Sequence, residues 1–205
     1  MITDFWDKRA KKYDDAIRKH DAVYDRTIAS AKSLLSTSDV VLDIGCASGE
    51  YSLDIAPYVQ RIHGIDISTN MIALATKKTS DRSIDNVTFD AADVFDRSLD
   101  AHGYTAVLAF SVLHLVEGIR SVLCRVNELL PTGGLLISQT PCLSESSFLF
   151  KLFVGVAQKV NIAPPIMSLT ALELEEAIAG TGFKIAESEI WDRKKAVHWM
   201  VARKR

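Results

Sequence analysis

Residues 40–50 read Val40-Val41-Leu42-Asp43-Ile44-Gly45-Cys46-Ala47-Ser48-Gly49-Glu50, and no other stretch restricts the fold as strongly. Four of the first five residues are apolar and three of those (Val40, Val41, Ile44) are β-branched, which suits a strand covered on both faces. Gly45 and Gly49 let the backbone turn sharply and pass close to a ligand where a Cβ would collide. Glu50 then opens a helix whose free N–H groups point at whatever lies over the turn. An open parallel α/β sheet keeps a nucleotide-like ligand in this place, outside the carboxyl ends of its strands.

The residues of the turn bear on which ligand that is. The dinucleotide fingerprint is Gly-x-Gly-x-x-Gly. Counted from Gly45, its second and third glycines are Ala47 and Glu50. A glutamate at the helix start would face a pyrophosphate with like charge, and Asp43 adds a carboxylate just before the turn. Both disfavour NAD or FAD and suit a ligand with positive charge. S-adenosylmethionine carries an ammonium and a sulfonium and no phosphate.

Beyond the turn, strands and helices alternate. Strands are expected at Val40–Ile44, 61–65, Val87–Ala91, Ala106–Phe110 and 135–140, and helices from Glu50 and over 69–78 and 119–130. This rhythm predicts a parallel sheet with helices on both faces. Two further strands, 184–191 and 197–203, close the chain. Residues 1–36 read as helical, with Phe5, Trp6, Ala10, Tyr13, Ala16 and Ile17 spaced for one face. Residues 144–168 break the rhythm with an aromatic-rich helix and the stop Ala163-Pro164-Pro165. Thr170 and Glu173 have capping-box spacing for an acidic helix that Gly180 or Gly182 ends.

Asp43-x-Gly45-x-Ala47-x-Gly49 resembles motif I of the class I S-adenosylmethionine-dependent methyltransferases. His63-Gly64-Ile65-Asp66-Ile67-Ser68 resembles their second strand with its acidic end. Ala91-Ala92-Asp93-Val94 resembles the adenine-contacting segment. The run from Tyr104 to His114 resembles strand four and the active-site loop, and Leu129-Leu130-Pro131-Thr132-Gly133-Gly134 the turn into strand five. Gly182-Phe183 and Met200-Val201-Ala202-Arg203-Lys204 resemble the final hairpin. The order and spacing of these motifs cover nearly the whole chain; Ala47, where many members have glycine, is a mild departure.

The resemblance implies a Rossmann-like, doubly wound, mostly parallel seven-stranded sheet with an antiparallel C-terminal hairpin. It implies a single domain over residues 1–205, with a helical lid at 1–36 and a helical insertion over the active site at 144–168. It places Asp43, Gly45, Cys46, Ala47, Gly49, Asp66, Ile67, Asp93, Val94, Phe110 and Ser111 against S-adenosylmethionine, with S-adenosylhomocysteine as product.

Each residue also has a plainer reading. Asp66 ends its strand about 20 residues after the first glycine, where a carboxylate accepts both ribose hydroxyls; it could instead cap a helix, although Ser68 stands ready for that. Asp93 reads as an adenine contact or a turn residue. Asp43 reads as a partner of the methionine end or a buried acid satisfied by turn amides. His114 follows strand four at the carboxyl edge, where a neutral imidazole can take or orient an acceptor proton; the alternative is the first turn of a surface helix. Tyr13, the second catalytic candidate, and Trp6 could cover a sulfonium with an aromatic face, or pack in a core. The helix from Phe148 is apolar enough to roof an acceptor pocket, form a homodimer contact or rest on a membrane, and the absence of a basic face favours the first two.

Composition narrows the function further. A net charge of −2 gives no basic face for nucleic acid. Cys142 as a base-attacking nucleophile is disfavoured, because Ala109-Phe110-Ser111-Val112 has no Pro-Cys. The three cysteines do not form a disulfide framework and point to reduced thiols in a cytoplasmic protein. The acidic start of the chain does not read as a signal peptide. No uncharged apolar run reaches the roughly 18 residues of a membrane span. There is no Cys/His cluster at metal spacing. The expectation is a methyltransferase acting on the O, N or C of a small, apolar acceptor; the rival is a non-catalytic member that binds cofactor or a partner.

Overall fold

All five residues of strand β1 (Val40–Ile44) are buried in the computed structural model, as their apolar run requires. The structure describes residues 2–17, 22–159, 164, 166–193 and 196–205. Parallel ladders join β1 to β2 (Arg61–Asp66) and to β4 (Ala106–Phe110), and β2 to β3 (Val87–Ala91). β7 (Val197–Lys204) pairs antiparallel with both β5 (Leu135–Pro141) and β6 (Phe183–Asp192). The seven strands run in the order β3-β2-β1-β4-β5-β7-β6. The chain walks outward from β1 to β3 and resumes at β4 on the other side of β1, so the order reverses at the strand that carries the glycine turn. This is the mostly parallel Rossmann-like sheet with a terminal hairpin that the sequence predicts.

The helices are α1 (Ile2–Asp7), α2 (Ala10–Ile17), α3 (Ala22–Leu34), α4 (Glu50–Ile55), α5 (Thr69–Asp81), α6 (Ile119–Leu129), α7 (Phe148–Lys159) and α8 (Ala171–Ala179). Strands β1, β3 and β4 have the expected bounds; the others are one or two residues longer, and α5 continues three residues past Lys78. The N-terminal helical stretch is interrupted after Asp7, where Arg9 N–H bonds to Trp6 O at 3.0 Å and tightens the turn. Residues 18–21 of that stretch lie outside the described residues.

The chain forms two compact units, residues 1–108 and 109–205. In the first, α5 buries Met71, Ala75 and Lys78. Its N-cap is Ser68, whose Oγ accepts from Met71 N, as expected. His63 is buried but satisfied, 2.6 Å from Tyr104 Oη and 2.9 Å from Asp90 Oδ2. In the second, Trp199 is stacked between Trp191, at 4.5 Å, and Phe110, at 6.2 Å. The capping box forms as predicted: Thr170 Oγ1 accepts from Glu173 N at 3.1 Å, and Glu173 Oε2 from Thr170 N at 2.8 Å. In α7, Val154 and Ala157 are buried while Leu152 and Val156 are exposed. The side chains of Phe148, Phe150 and Phe153, and Ala163 and Pro165 of the expected stop, lie outside the described residues. No helix among the described residues is long and apolar enough to cross a membrane.

One contact explains two glycines. The Phe89 ring fills the space where a Cβ on Gly49 or Gly64 would stand: 2.7 Å from the first, 2.5 Å from the second. Gly64 has neighbours on either side in the ladder, so β2 cannot step away. Gly64→Ala should therefore destabilise by about 1–3 kcal/mol through overpacking. Adding Phe89→Leu should recover part of the loss in thermal unfolding.

Candidate functional site

The turn after β1 is held in a left-handed form, with φ 66° at Gly45, 49° at Ala47 and 79° at Gly49. Alanine bears this at a cost of about 1–2 kcal/mol, which is why glycine suits position 47. Three hydrogen bonds fix the turn: Cys46 N to Ile65 O at 3.0 Å, Ala47 N to Asp66 Oδ2 at 3.0 Å, and Gly49 N to Cys46 O at 2.9 Å. Asp66 Oδ1 accepts from Ser68 N at 2.9 Å. Two backbone amides use about half of the acceptor positions of a carboxylate, leaving room for two hydroxyl donors. Burial raises the Asp66 pKa, against the two amides that lower it.

Asp43 lies beside this turn, 2% exposed, and accepts from Ser52 Oγ at 2.6 Å. Burial, with a smaller push from Asp66, raises its pKa to about 7 although the Ser52 hydroxyl opposes the shift. The buried Cys46 thiol is raised well above its ordinary range, first by burial and then by Asp43 and Asp66, so it is not a reactive thiolate. Tyr13 on α2 lies within electrostatic reach of Asp66, Asp43 and Cys46; burial and then these groups raise its pKa to about 12. Trp6 meets the Tyr13 ring edge-on at 6.0 Å. Ser48 Oγ, in the turn itself, is buried with no hydrogen-bond partner among the described residues.

Asp93 is exposed and its Oδ1 accepts from Phe95 N at 2.7 Å, so the turn role weighed for it is formed. Val94 is buried, whereas Ile67 and Phe95 expose 37% and 51% of their surface. In the chain, Ile67 directly follows Asp66, and Phe95 follows the Asp93-Val94 pair.

Glu50 requires a correction. The sequence places its charge facing the ligand, but the side chain is turned inward, 3% exposed, against Lys78 Nζ at 2.8 Å and Arg82 at 2.5 Å. Burial pushes its pKa up, but these two cations outweigh burial and hold it low. The other two acids beside the turn, Asp43 and Asp66, are met by a hydroxyl and by amides instead of cations among the described residues.

In residues 109–205, Ser111 follows β4 with φ 54°. Its Oγ donates to Gln139 Oε1 at 2.9 Å and its N–H to Gln139 O at 2.7 Å. His114 is not on a helix, as the plainer reading had it, but in a buried turn whose carbonyl accepts from Met167 N at 2.8 Å. It is 7% exposed, and its Nδ1 is buried without a hydrogen-bond partner among the described residues. Burial lowers its pKa to about 4, so the ring is neutral near pH 7. Cys142 is fully buried and its thiol is pushed up to about 12 by burial and then by Glu145 and Glu173. No group of metal-ligating side chains is present among the described residues.

Asp7, Asp14, Lys78, Phe95 and Gln139 were not foreseen. Asp7 and Asp14 meet partners 61 and 64 residues away, a separation with no local signal. Gln139 could have been noticed as the one amide in an otherwise apolar or hydroxyl-bearing strand.

A sequence profile described as a methyltransferase domain matches residues 35–203. The chain belongs to this family, that of the class I S-adenosylmethionine-dependent methyltransferases. Aklanonic acid methyltransferase DauC from Streptomyces sp. (strain C5) is 30% identical over 118 residues, covering 56% of this chain and 53% of DauC. The 23S rRNA (uracil(1939)-C(5))-methyltransferase RlmD of Marinomonas sp. is 31% identical over 94 residues, 44% of this chain and 21% of RlmD. The chain thus matches about half the length of one relative and about a fifth of the other. The fold is shared with an S-adenosylmethionine-dependent methyltransferase from Mesorhizobium loti, with TM-score 0.72, 16% identity, and 91% and 99% of the two chains covered. A second, from Methanosarcina mazei, has TM-score 0.70 at 18% identity, with 84% and 95% covered.

Asp43 sets a pH dependence. The folded protein keeps its proton up to about pH 7, whereas the unfolded chain releases it near the ordinary value of 3.8. Raising pH through this window therefore favours unfolding. Asp43→Asn, isosteric with the protonated acid, should melt higher than wild type, with a gap that widens from pH 4 to pH 7 and then levels. A constant gap in thermal melts would contradict the shift.

Proposed function

We propose that the protein transfers the methyl group of S-adenosylmethionine to a small, largely apolar acceptor. The observation that carries this is the pair of acids at the left-handed turn: Asp43 and Asp66 lie within electrostatic reach of each other, while the neighbouring Glu50 is neutralised by Lys78 and Arg82. Such a site attracts a cation and repels a pyrophosphate.

When bound, S-adenosylmethionine supplies a methyl group already activated on sulfur. The remaining acceptor positions of Asp66 suit the two ribose hydroxyls. Ile67 and Phe95 offer apolar surface to the adenine, with Asp93 and Val94 beside it. Asp43, directly or through water, faces the methionine ammonium. Tyr13 stays protonated at neutral pH, so it serves as a donor and an aromatic cover, not a base. In the unit of residues 109–205, Ser111 after β4 is set by Gln139; the cofactor role expected of Phe110 and Ser111 is part of this proposal.

His114 is the acceptor-side residue in this reading. Its unpartnered Nδ1 can accept a hydrogen bond from an acceptor hydroxyl and orient it. A base with a pKa of about 4 is a weak one, so orientation dominates. Met167, at the end of the segment expected over the active site, gives its N–H to His114 O at 2.8 Å, which supports a place for that end of the segment beside His114. DauC, named for aklanonic acid, supports a small-molecule acceptor, and the net charge of −2 favours this over the rRNA named for RlmD.

Calorimetric titration with S-adenosylhomocysteine tests the cofactor site. Wild type should bind in the micromolar range, and Asp66→Ala should bind at least tenfold more weakly; melts run beside it control for the two amides that Asp66 also holds. Failure of wild type to bind at high micromolar ligand would overturn the reading, and binding without turnover on any acceptor would favour the non-catalytic rival. His114→Gln should lower kcat on a small-molecule acceptor about tenfold or more. Wild-type kcat/KM should show no limb near pH 6.5 that this substitution removes.

A further inference from the structure

Two acids on the N-terminal helices end on the residues that shape the cofactor turn. Asp7, at the end of α1, accepts from Ser68 Oγ at 2.6 Å and from Asn70 N at 3.2 Å. Ser68 in turn gives its N–H to Asp66. Asp14 on α2 is 6% exposed and pairs with Lys78 Nζ of α5. The same ammonium donates to Ser48 O, a carbonyl of the turn, at 2.8 Å and pairs with Glu50 Oε1 at 2.8 Å. An ammonium has three N–H donors, and these three acceptors match them. Lys78 thus ties α2, the turn and the start of α4 at one buried point, 4% exposed.

Tyr13 is the residue before Asp14 and lies by Asp43 and Asp66. An aromatic cover placed on a two-turn helix needs an anchor, because such a helix is too short to be rigid alone. A buried ion pair is weak evidence for net stability but fixes geometry where one partner alone would be left uncompensated.

From this geometry we infer that Asp14 and Lys78 are positioning residues for the cofactor, acting through Tyr13: the buried pair latches α2 over the turn and so governs how fast the cofactor leaves. This rests on the cofactor reading above. The network also lets the latch open. If α2 lifts, Asp14 returns to water, and Lys78 keeps Glu50, which Arg82 also holds. No buried charge is then stranded, so the closed and open states can both be populated. Asp7 forms a second tether, on the residue that caps α5.

The dissociation rate of S-adenosylhomocysteine from the full-length protein tests this. Rates are measured for wild type, Asp14→Asn, Tyr13→Phe and the double variant by stopped-flow displacement. Asp14→Asn and Tyr13→Phe should each speed release about tenfold, the loss of one well-placed contact. The double variant should release no faster than either single, because both changes act on one contact. Hydrogen exchange of wild type should show that residues 2–17 gain protection when S-adenosylhomocysteine binds. If Asp14→Asn does not fold, Asp7→Asn takes its place in the same cycle. A merely structural Asp14 would lower the melting temperature, leave the release rate within twofold of wild type, and leave exchange in 2–17 unchanged; that result, or additive effects in the cycle, overturns the inference. Binding by wild type alone upholds the cofactor reading even then, whereas no binding by wild type overturns both.

Discussion

The carboxylate of Asp66 holds together the glycine turn after β1 and the start of α5, on which the proposed cofactor site rests. It accepts the amide of Ala47 from the turn after β1 and the amide of Ser68 at the start of α5. These amides meet because the β1–β2 ladder sets Ile44 opposite Ile65, so both strands end at the same level. The register of one parallel pair thereby fixes the turn, the acid and the helix cap together. Phe89 from the next strand then fills the space that Gly49 and Gly64 leave, and no larger residue fits at either place without displacing that ring.

Electrostatics separate three acids that look alike in the sequence. Asp43, Glu50 and Asp66 all flank the turn. Glu50 is fully compensated by Lys78 and Arg82 and belongs to the scaffold. Among the described residues, Asp43 is met by the Ser52 hydroxyl and Asp66 by two backbone amides, and burial raises the pKa of both. A site that disfavours its own ionised form gains from a cationic ligand, since the ligand restores what desolvation removed. The stability lost to the apo state is the ordinary companion of a preformed binding site.

The second unit presents different chemistry. Its polar atoms near the end of β4 are few and fixed: Ser111 by Gln139, and His114 by burial and a main-chain bond from Met167. The neutral ring of His114 and the high pKa of the Cys142 thiol make neither a strong base or nucleophile at neutral pH. Methyl transfer from a sulfonium can proceed without one, because the carbon is already electrophilic and the protein mainly has to align the partners.

Much of this was legible in the chain. Periodicity and the glycine turn gave the seven strands and set Asp43 and Asp66 at strand ends, because these depend on local apolar runs and on residues within a few positions of one another; the antiparallel end came from the resemblance of the motifs. Ser68 and the Thr170–Glu173 box were equally readable, since a cap is a contact over three residues. The inward turn of Glu50, the Asp14–Lys78 latch, the Phe89 wedge and the buried, unpartnered Nδ1 of His114 were not. Each depends on partners tens of residues away or on the depth at which a side chain comes to rest, and the same acid or imidazole reads identically in sequence whether solvent or a buried cation faces it. The sequence by itself therefore determined which segments become strands and the chemistry available at their ends. Only the tertiary structure decided which charges are cancelled and which are left for a ligand, because charge compensation is a matter of distance in space and of access to water.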